Sequence, residues 1–391
     1  MSRRPKTPQV HDGSDNRQAK EWREWDYQQS NSDAKSRAIG AVQPLPRIAR
    51  RPMTRSARTT TAPLALALTL IVSLTMISSR SIAQTGAAGI ASLYPGDVGI
   101  ENHSAVIFTE QFEEGTIADV VARWGDAKNP AGMLFTSDVP PGTPAGHALS
   151  IPWVGGVSTG GHLYKVLNPG VDDTLYVRYY VKYPVDGNFS HNGIWVGGDN
   201  PRSPWPNPRA GELPSGTDHF IAAGEQNTLT NAFEHYDYWM GMHHDAGGPY
   251  WGNFLLMNPS VQATRGQWVC VEQMVKLNNP TTASNGEHAL WLNGVKVSHL
   301  GPGFPNGFWD GGRFTQNPNG TPFEGFQWRS TSALNINWIW LQNYSPNDVP
   351  GYSGTMLYDH VVVARSYIGC LGSSVSEVPK PPTSPRVVRS S

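Results

Sequence analysis

Short runs of alternating apolar and polar residues recur between residues 105 and 369, separated by Gly, Pro, Asn and Asp. Such alternation is typical of half-buried β-strands, because successive side chains point to opposite faces. No long stretch has apolar residues at helical spacing. The pattern predicts an all-β sandwich with these strands: AVIFTEQF, HALSIPW, GHLYKVL, TLYVRYYVKY, NGIWVGG, HFIAAGE, FEHYDYWMGMHH, NFLLMN, QWVCVEQMVKL, EHALWL, VKVSHL, INWIWLQNY and LYDHVVVARSYIG.

Two of these strands are joined by Asn293-Gly294, a dipeptide that favours a two-residue hairpin turn because both positions need a positive φ. No long polar linker interrupts residues 105–371, so we predict one domain of about 270 residues, an ordinary size for a large β-sandwich. We expect residues 84–104 to be a linker. Residues 372–391 are rich in Pro and Ser and are expected to be a disordered tail.

The first 83 residues are predicted to lie outside the fold. Residues 1–52 are polar and should be disordered, or a mis-assigned extension if Met53 is the true start. Residues 53–83 have arginines before a short apolar run and a small-residue cleavage pattern at their end, as in a secretory signal peptide. The run, residues 62–77, is short for a transmembrane helix. We therefore expect a secreted or periplasmic protein, with a membrane anchor through this run as the alternative.

Removal of the signal peptide changes the charge balance. Residues 1–83 hold 14 of the 30 Lys and Arg residues but 6 of the 31 Asp and Glu residues, so residues 84–391 carry 16 and 25, a net charge of −9. This argues against nucleic acid or an anionic membrane as a partner. We expect a monomer. No phosphate loop or His-Glu-x-x-His motif is present, so no organic cofactor is expected.

Cys270 and Cys370 are the two cysteines of the chain. In an exported protein they are expected to form a disulfide, with two buried thiols as the alternative. By the chain-entropy model, a crosslink over so long a loop stabilises by about 4–5 kcal/mol. Pairing requires their Cα atoms to lie roughly 4.4–6.8 Å apart.

The strand TLYVRYYVKY has one apolar face, and Arg178, Tyr180 and Lys182 on the other; His191 follows in a Gly-rich loop. This set suits β-elimination from an acidic sugar, since Arg would neutralise the carboxylate and His or Tyr would move the protons. We expect Arg178, Tyr180 and His191 to be catalytic and Lys182 to bind substrate at a shared cleft, with ordinary packing as the alternative. Aromatic side chains expected to stack on sugar rings are Trp195, Tyr238, Trp239 and Trp251.

A hydrolase with two catalytic carboxylates is not supported by the strand patterns. Glu234 and Asp237 come closest to such a pair, but they are three residues apart, so they should face opposite sides of a strand.

Several segments resemble the concanavalin A-like jelly rolls of polysaccharide lyases of the glucuronan-lyase type and of related fungal cellulose-induced proteins. They are LYVRYYVKYP, HNGIWVGG, WVCVEQMVKLN, GEHALWLNGVKV and LYDHVVVARSYIG, and the resemblance covers most of residues 105–370. It implies a jelly-roll sandwich of two antiparallel sheets whose concave sheet binds a glycan. It also implies a structural Ca²⁺ between Glu113 and Asp359, although the family's Asp-Asn pair is Asp-His here.

Two functions are open on this basis. The basic row and the resemblance favour an exported polysaccharide lyase acting on a uronate-containing, acidic glycan. The negative net charge favours the alternative, a non-catalytic carbohydrate-binding or cell-surface interaction module.

Overall fold

The computed structural model describes residues 88–113, 115–144, 146–227, 231–244, 248–256, 258, 260–346 and 348–372. The predicted signal peptide, its alternative as an anchor, the N-terminal extension and all but the first residue of the predicted tail lie outside this part. Within it, no helix has the length and apolar character needed to cross a membrane.

Strands form most of the regular structure of the described residues, with a single α-helix, α1 (Ile117–Trp124). The strands are β1 (Val106–Glu110), β2 (Gly125–Lys128), β3 (Leu134–Thr136), β4 (Ala148–Val154), β5 (Gly160–Val171), β6 (Thr174–Lys182), β7 (His191–Asp199), β8 (His219–Gln226), β9 (Phe233–Asp237), β10 (Asn253–Leu255), β11 (Trp268–Lys276), β12 (Glu287–Leu292), β13 (Val295–Leu300), β14 (Asn306–Asp310), β15 (Arg313–Gln316), β16 (Thr321–Pro322), β17 (Ile336–Tyr344) and β18 (Ser353–Ala364).

The strands form two sheets. The first sheet has the order β13-β12-β11-β6-β18-β4-β3, with β1 also paired to β18. The second has the order β16-β14-β15-β10-β9-β8-β7-β17-β5-β2. All pairs are antiparallel except β10 with β15, which is parallel. The predicted all-β jelly-roll sandwich is therefore confirmed, with this one parallel pair as a departure from two purely antiparallel sheets.

The hydrophobic core lies between the two sheets. It is filled by side chains on the strand faces that the sequence pattern predicted to be buried. In β6 the inward side chains are Val177, Tyr179 and Val181, all 0% exposed. The Tyr179 hydroxyl donates to the Gly224 carbonyl of the second sheet at 3.4 Å. The predicted hairpin turn is also present, since Asn293 and Gly294 have φ values of 49° and 79°.

The outer face of the first sheet is covered by two segments that flank the strands. The N-terminal segment, residues 88–104, contains three 3₁₀ turns, and Ile90 and Ile100 pack against Val362 of β18. The expectation of a linker over residues 84–104 is therefore wrong for this segment, because Ile90, Ala91 and Ile100 are buried against the sheet.

The C-terminal segment, residues 365–371, lies on the same face and is held there covalently. Cys370 forms the predicted disulfide with Cys270 of β11, with Cα atoms 6.0 Å apart. The Glu272 carboxylate accepts hydrogen bonds from the backbone N–H groups of Ile368 at 2.7 Å and Gly369 at 2.8 Å. The disulfide prediction is confirmed, and its partner strand is the one that the sequence indicated.

Candidate functional site

The three residues expected to share a cleft lie on opposite sides of the sandwich. Arg178 and Tyr180 point outward from β6, on the face covered by the N- and C-terminal segments. His191 begins β7 and belongs to the second sheet. The prediction that these three residues share one cleft is therefore wrong. The predicted alternation along β6 is correct, but other segments of the protein cover its polar face.

Arg178 is fully buried, and both of its terminal guanidinium nitrogens donate to protein groups. Its guanidinium donates to the Asp97 carboxylate at 2.6 Å and to the His360 carbonyl at 2.6 Å. The His360 ring also contacts the Asp97 carboxylate, at 2.9 Å. Burial alone would raise the pKa of Asp97, but the charge of Arg178 and the bond to His360 outweigh it and lower that pKa. The network anchors the N-terminal segment to the first sheet.

Tyr180 and Lys182 are also engaged on this face. The Tyr180 hydroxyl accepts a hydrogen bond from the Leu371 N–H at 2.7 Å, and burial raises the pKa of Tyr180 to about 12. Lys182 pairs with the Asp138 carboxylate at 2.5 Å, and the Trp268 indole donates to the same carboxylate. Both side chains are therefore engaged with protein groups.

The outer face of the second sheet carries a row of polar and aromatic side chains across β5, β17, β7, β8 and β9. The register places Tyr344 opposite His191 and Trp340 opposite Trp195. The His191 and Tyr344 rings are stacked, with centroids 6.2 Å apart and planes inclined by 12°. His191 thus sits among aromatic side chains on the face that points away from the first sheet.

Glu225 of β8 orients His191. Its carboxylate lies 3.1 Å from His191 Nδ1 and also accepts from the Trp195 indole at 3.3 Å and the Asn192 N–H at 3.4 Å. A carboxylate cannot donate when it is ionised, so the neutral imidazole carries its proton on Nδ1 and its lone pair on Nε2. The contact with Glu225 thus fixes both the orientation and the tautomer of His191.

Gln342 of β17 lies beside this histidine and faces the same side. Its side-chain nitrogen and oxygen are buried and find no hydrogen-bond partner among the described residues. Gly193 is its partner in register on β7 and brings no side chain over it. Lys128 of β2 places its ammonium group 5.9 Å from the centre of the Tyr344 ring. An amide, a phenol, an imidazole and an ammonium group therefore gather on the outer face of the second sheet, where the first three are buried.

The aromatic residues predicted to stack on sugars have different locations. Trp195 lies on the outer face of the second sheet and is fully buried, beside His191. Tyr238 follows β9, and its hydroxyl lies 3.2 Å from that of Tyr236. Trp239 is fully buried among the Phe326 and Trp328 rings, so it is a core residue rather than a stacking platform. Trp251 is partly exposed.

The two predicted calcium ligands lie close enough to interact electrostatically, with Asp359 on β18, an interior strand of the first sheet. Glu113 accepts from the His147 N–H, with its two oxygens at 3.2 and 3.1 Å. Asp359 is fully buried; its Oδ1 accepts from the His360 N–H, whereas Oδ2 has no hydrogen-bond partner among the described residues. Burial, reinforced by the negative charge of Glu113, raises the pKa of Asp359 to about 8. Two converging carboxylates with an unpaired buried oxygen fit a hard cation such as Ca²⁺.

The sequence reasoning missed Glu225, Gln342 and Tyr344. The strand INWIWLQNY was predicted, and its alternation puts Trp338, Trp340, Gln342 and Tyr344 on one face. A strand buried on both faces gives no signal for which face belongs to a site, because both read as apolar or aromatic.

No protein-family model matches the chain, and no curated protein matches it. Solved structures do match it. They include the alginate lyase Aly36B (13% identity over 67% of this chain and 98% of that chain, TM-score 0.43). They also include alginate lyase vAL-1 from Chlorella virus (12% identity, 66% and 99%, TM-score 0.44) and the cellulose-induced protein Cip1 (13% identity, 67% and 99%, TM-score 0.36). Polysaccharide lyases and cellulose-induced proteins are the classes that the sequence resemblance named, although its lyase type was glucuronan lyase and these are alginate lyases; the likeness is one of fold.

Proposed function

We propose that the protein is a polysaccharide lyase that cleaves a uronate-containing glycan by β-elimination on the outer face of the second sheet. The observation that carries the proposal is the pairing of His191, oriented by Glu225, with the stacked phenol of Tyr344. Secretion, a monomeric state and an acidic polysaccharide as the partner stay predictions.

The chemistry needs three roles, and the described residues supply each. The amide of Gln342 donates to the substrate carboxylate and stabilises the negative charge that develops as the C5 proton leaves. His191 Nε2 accepts that proton, and the imidazolium that forms is stabilised by Glu225. Tyr344 donates its hydroxyl proton to the leaving O4, so the C4–O4 bond breaks as the C4–C5 double bond forms. Trp195 is fully buried, so it would support the His191 ring by packing against it, with centroids 4.9 Å apart, and would not stack on the sugar.

The test is an ultraviolet absorbance assay for the unsaturated uronate product on a panel of acidic polysaccharides. The panel includes glucuronan and alginate, since one Aly36B structure is described as a complex with an alginate trisaccharide. His191 and Tyr344 are 3% and 4% exposed. Both the full chain and the predicted mature form, residues 84–391, are assayed, because signal-peptide removal is itself a prediction.

His191→Ala and Tyr344→Phe should each lower kcat by about 10²–10⁴-fold, because each removes a proton-transfer group. Tyr180→Phe is the matched control: it removes a phenol hydroxyl on the opposite side of the sandwich and should keep wild-type kcat. Wild-type activity in both site variants on a confirmed substrate would refute the assignment.

Hydrolysis is the second candidate, and a specific observation favours it. Glu225 and Glu234 are directly opposite each other on β8 and β9 and share the outer face. Burial raises the pKa of Glu234 to about 7, as a general acid would require. Glu225, however, already accepts three hydrogen bonds, which makes it a weak nucleophile. New reducing ends without ultraviolet absorbance would favour hydrolysis, and glycan binding without cleavage would favour a binding module.

We also propose a structural Ca²⁺ held by Glu113 and Asp359. A metal that binds only the folded state raises its stability by mass action. Chelation should therefore lower the melting temperature of the wild type, and Glu113→Ala should abolish this response. His103→Ala, in the N-terminal segment, should keep it. An identical melting curve with and without chelator would speak against an exchangeable site.

A further inference from the structure

Three metal-binding side chains converge in the layer between the two sheets, away from the proposed glycan site. His235 and Asp237 point inward from β9 of the second sheet, and His288 points inward from β12 of the first. All three are 0% exposed. Their nearest ligand atoms lie within 4.8 Å of one another. No sequence pattern links the three residues, since His288 is 51 residues from Asp237.

The contacts meet at one ring nitrogen. His288 Nδ1 lies 3.0 Å from His235 Nδ1 and 3.1 Å from each oxygen of the Asp237 carboxylate. One proton on that nitrogen cannot serve both neighbours well, and without a proton its lone pair faces the carboxylate. The arrangement is therefore poorly satisfied by hydrogen bonds alone, although buried polar groups normally have good partners.

The far side of each imidazole is occupied by an oxygen. His235 Nε2 lies 2.5 Å from the Ser298 hydroxyl, and His288 Nε2 lies 3.3 Å from Gln273 Oε1. Gln273 uses its nitrogen to donate to the Ile194 carbonyl, so its oxygen is left to accept from His288 Nε2–H. A histidine that donates from one nitrogen presents a lone pair at the other, and metal-ligating histidines are commonly held in this way.

The spacing suits a tetrahedral ion. Metal–nitrogen bonds of about 2.0–2.1 Å at the tetrahedral angle separate neighbouring ligand atoms by about 3.3 Å. The two contacts at His288 Nδ1, 3.0 and 3.1 Å, are close to this ligand–ligand separation. Two imidazoles and a carboxylate suit zinc, whereas Ca²⁺ prefers an all-oxygen shell.

We propose that His235, Asp237 and His288 bind a structural Zn²⁺ that links the two sheets. The three protein ligands leave a fourth position for a water. The stacked rings of Phe326 and Trp328, 4.2 Å apart, pack near His288 and keep the surroundings apolar. Because the ligands come from different sheets, the ion would fix how β9 and β12 lie against each other, and its binding free energy would stabilise the fold.

The experiment uses the full chain, produced without a polyhistidine tag and refolded with and without ZnCl₂. Metal content is measured by mass spectrometry, and stability by thermal melting. We expect one zinc per chain and a rise in Tm of about 5 °C at a hundredfold excess of zinc over Kd. His288→Ala should lower zinc affinity at least tenfold. The control is the double variant His243→Gln and His244→Gln, which removes two histidines outside the cluster and should keep both zinc binding and the Tm shift.

A second measurement covers the case in which His288→Ala does not fold. Co²⁺ in place of Zn²⁺ should give the visible absorption bands of tetrahedral coordination in the wild type, and Asp237→Asn should alter them. Wild-type protein that takes up no more zinc than His288→Ala, shows no Tm shift or gives no tetrahedral Co²⁺ spectrum would overturn the proposal. So would loss of the zinc signal in the His243/His244 variant. None of these readouts depends on lyase activity.

Discussion

Arg178 and Asp97 form an ion pair from which water is excluded, with both side chains 0% exposed. Placing charges in such a site is costly unless each meets a partner. Here the guanidinium meets a carboxylate and a carbonyl, and the carboxylate also meets the His360 ring. Arg178 is thus neutralised by a carboxylate of the protein itself, and not by the substrate carboxylate that the sequence analysis expected.

Arg178→Leu should therefore act on stability and not on catalysis. It leaves Asp97 buried without its cation, so the free energy of unfolding should fall by about 3–5 kcal/mol, as for other broken buried pairs. Urea denaturation followed by tryptophan fluorescence measures this loss. Lys182→Leu breaks a partly exposed pair on the same strand and should cost no more than about 1 kcal/mol. Equal losses in the two variants would contradict this account.

For individual residues, the sequence predicted the alternation of β6 and the inward position of Val177, Tyr179 and Val181. It did not predict what covers the other face. That cover comes from Asp97, about 80 residues earlier in the chain, and from Leu371, about 190 residues later, and periodicity along one strand carries no information about such distant contacts.

The C-terminal segment is the element whose position depends most on specific bonds. Cys370 ties it to β11, and Glu272 of the same strand holds the backbone of Ile368 and Gly369. Burial raises the pKa of Glu272 to about 7, although both backbone hydrogen bonds oppose the shift. The carboxyl that anchors this segment thus titrates close to neutral pH.

Stability should accordingly fall with rising pH as Glu272 ionises. Its folded-state pKa, about 7, exceeds the ordinary value of 4.5 expected on unfolding, so the folded state binds more protons between these two values. The stabilisation is present below about pH 4.5 and is lost as pH rises through about 7. Glu272→Gln does not titrate, so the difference in melting temperature between the two proteins should change across this range. A constant difference from pH 5 to pH 8 would contradict the assignment.

Among the elements, the long alternating strands and the short β10 were predicted, whereas the short strands β2, β3, β14, β15 and β16 were missed. FEHYDYWMGMHH was expected to be one strand, but β9 ends at Asp237, and Tyr238 makes only an isolated bridge to Ile221. The helix α1 was missed because its eight residues form little more than two turns, too few to show a clear helical period. Its N-terminal capping box, Thr116 with Asp119, is the signal that could have revealed it.

For the whole molecule, the sandwich followed from the spacing of its strands, whereas the candidate site did not. The site needs β5, β17, β7, β8 and β9 side by side, an order that the chain reaches only through crossovers between distant segments. His191 was identified because it follows a recognisable strand. Glu225 and Tyr344 come 34 and 153 residues later, and only the sheet register brings them together.

The paired ends of the described domain have a practical consequence. Ile90 and Ala91 bond to the backbone of Tyr367 and Ile368, so the N- and C-terminal segments meet on the outer face of the first sheet. A biotin tag or surface tether attached after residue 372 would immobilise the molecule through the outer face of the first sheet. The outer face of the second sheet, on the opposite side of the sandwich, would then be turned toward solution, so a sensor chip made in this way suits tests of binding to long glycans.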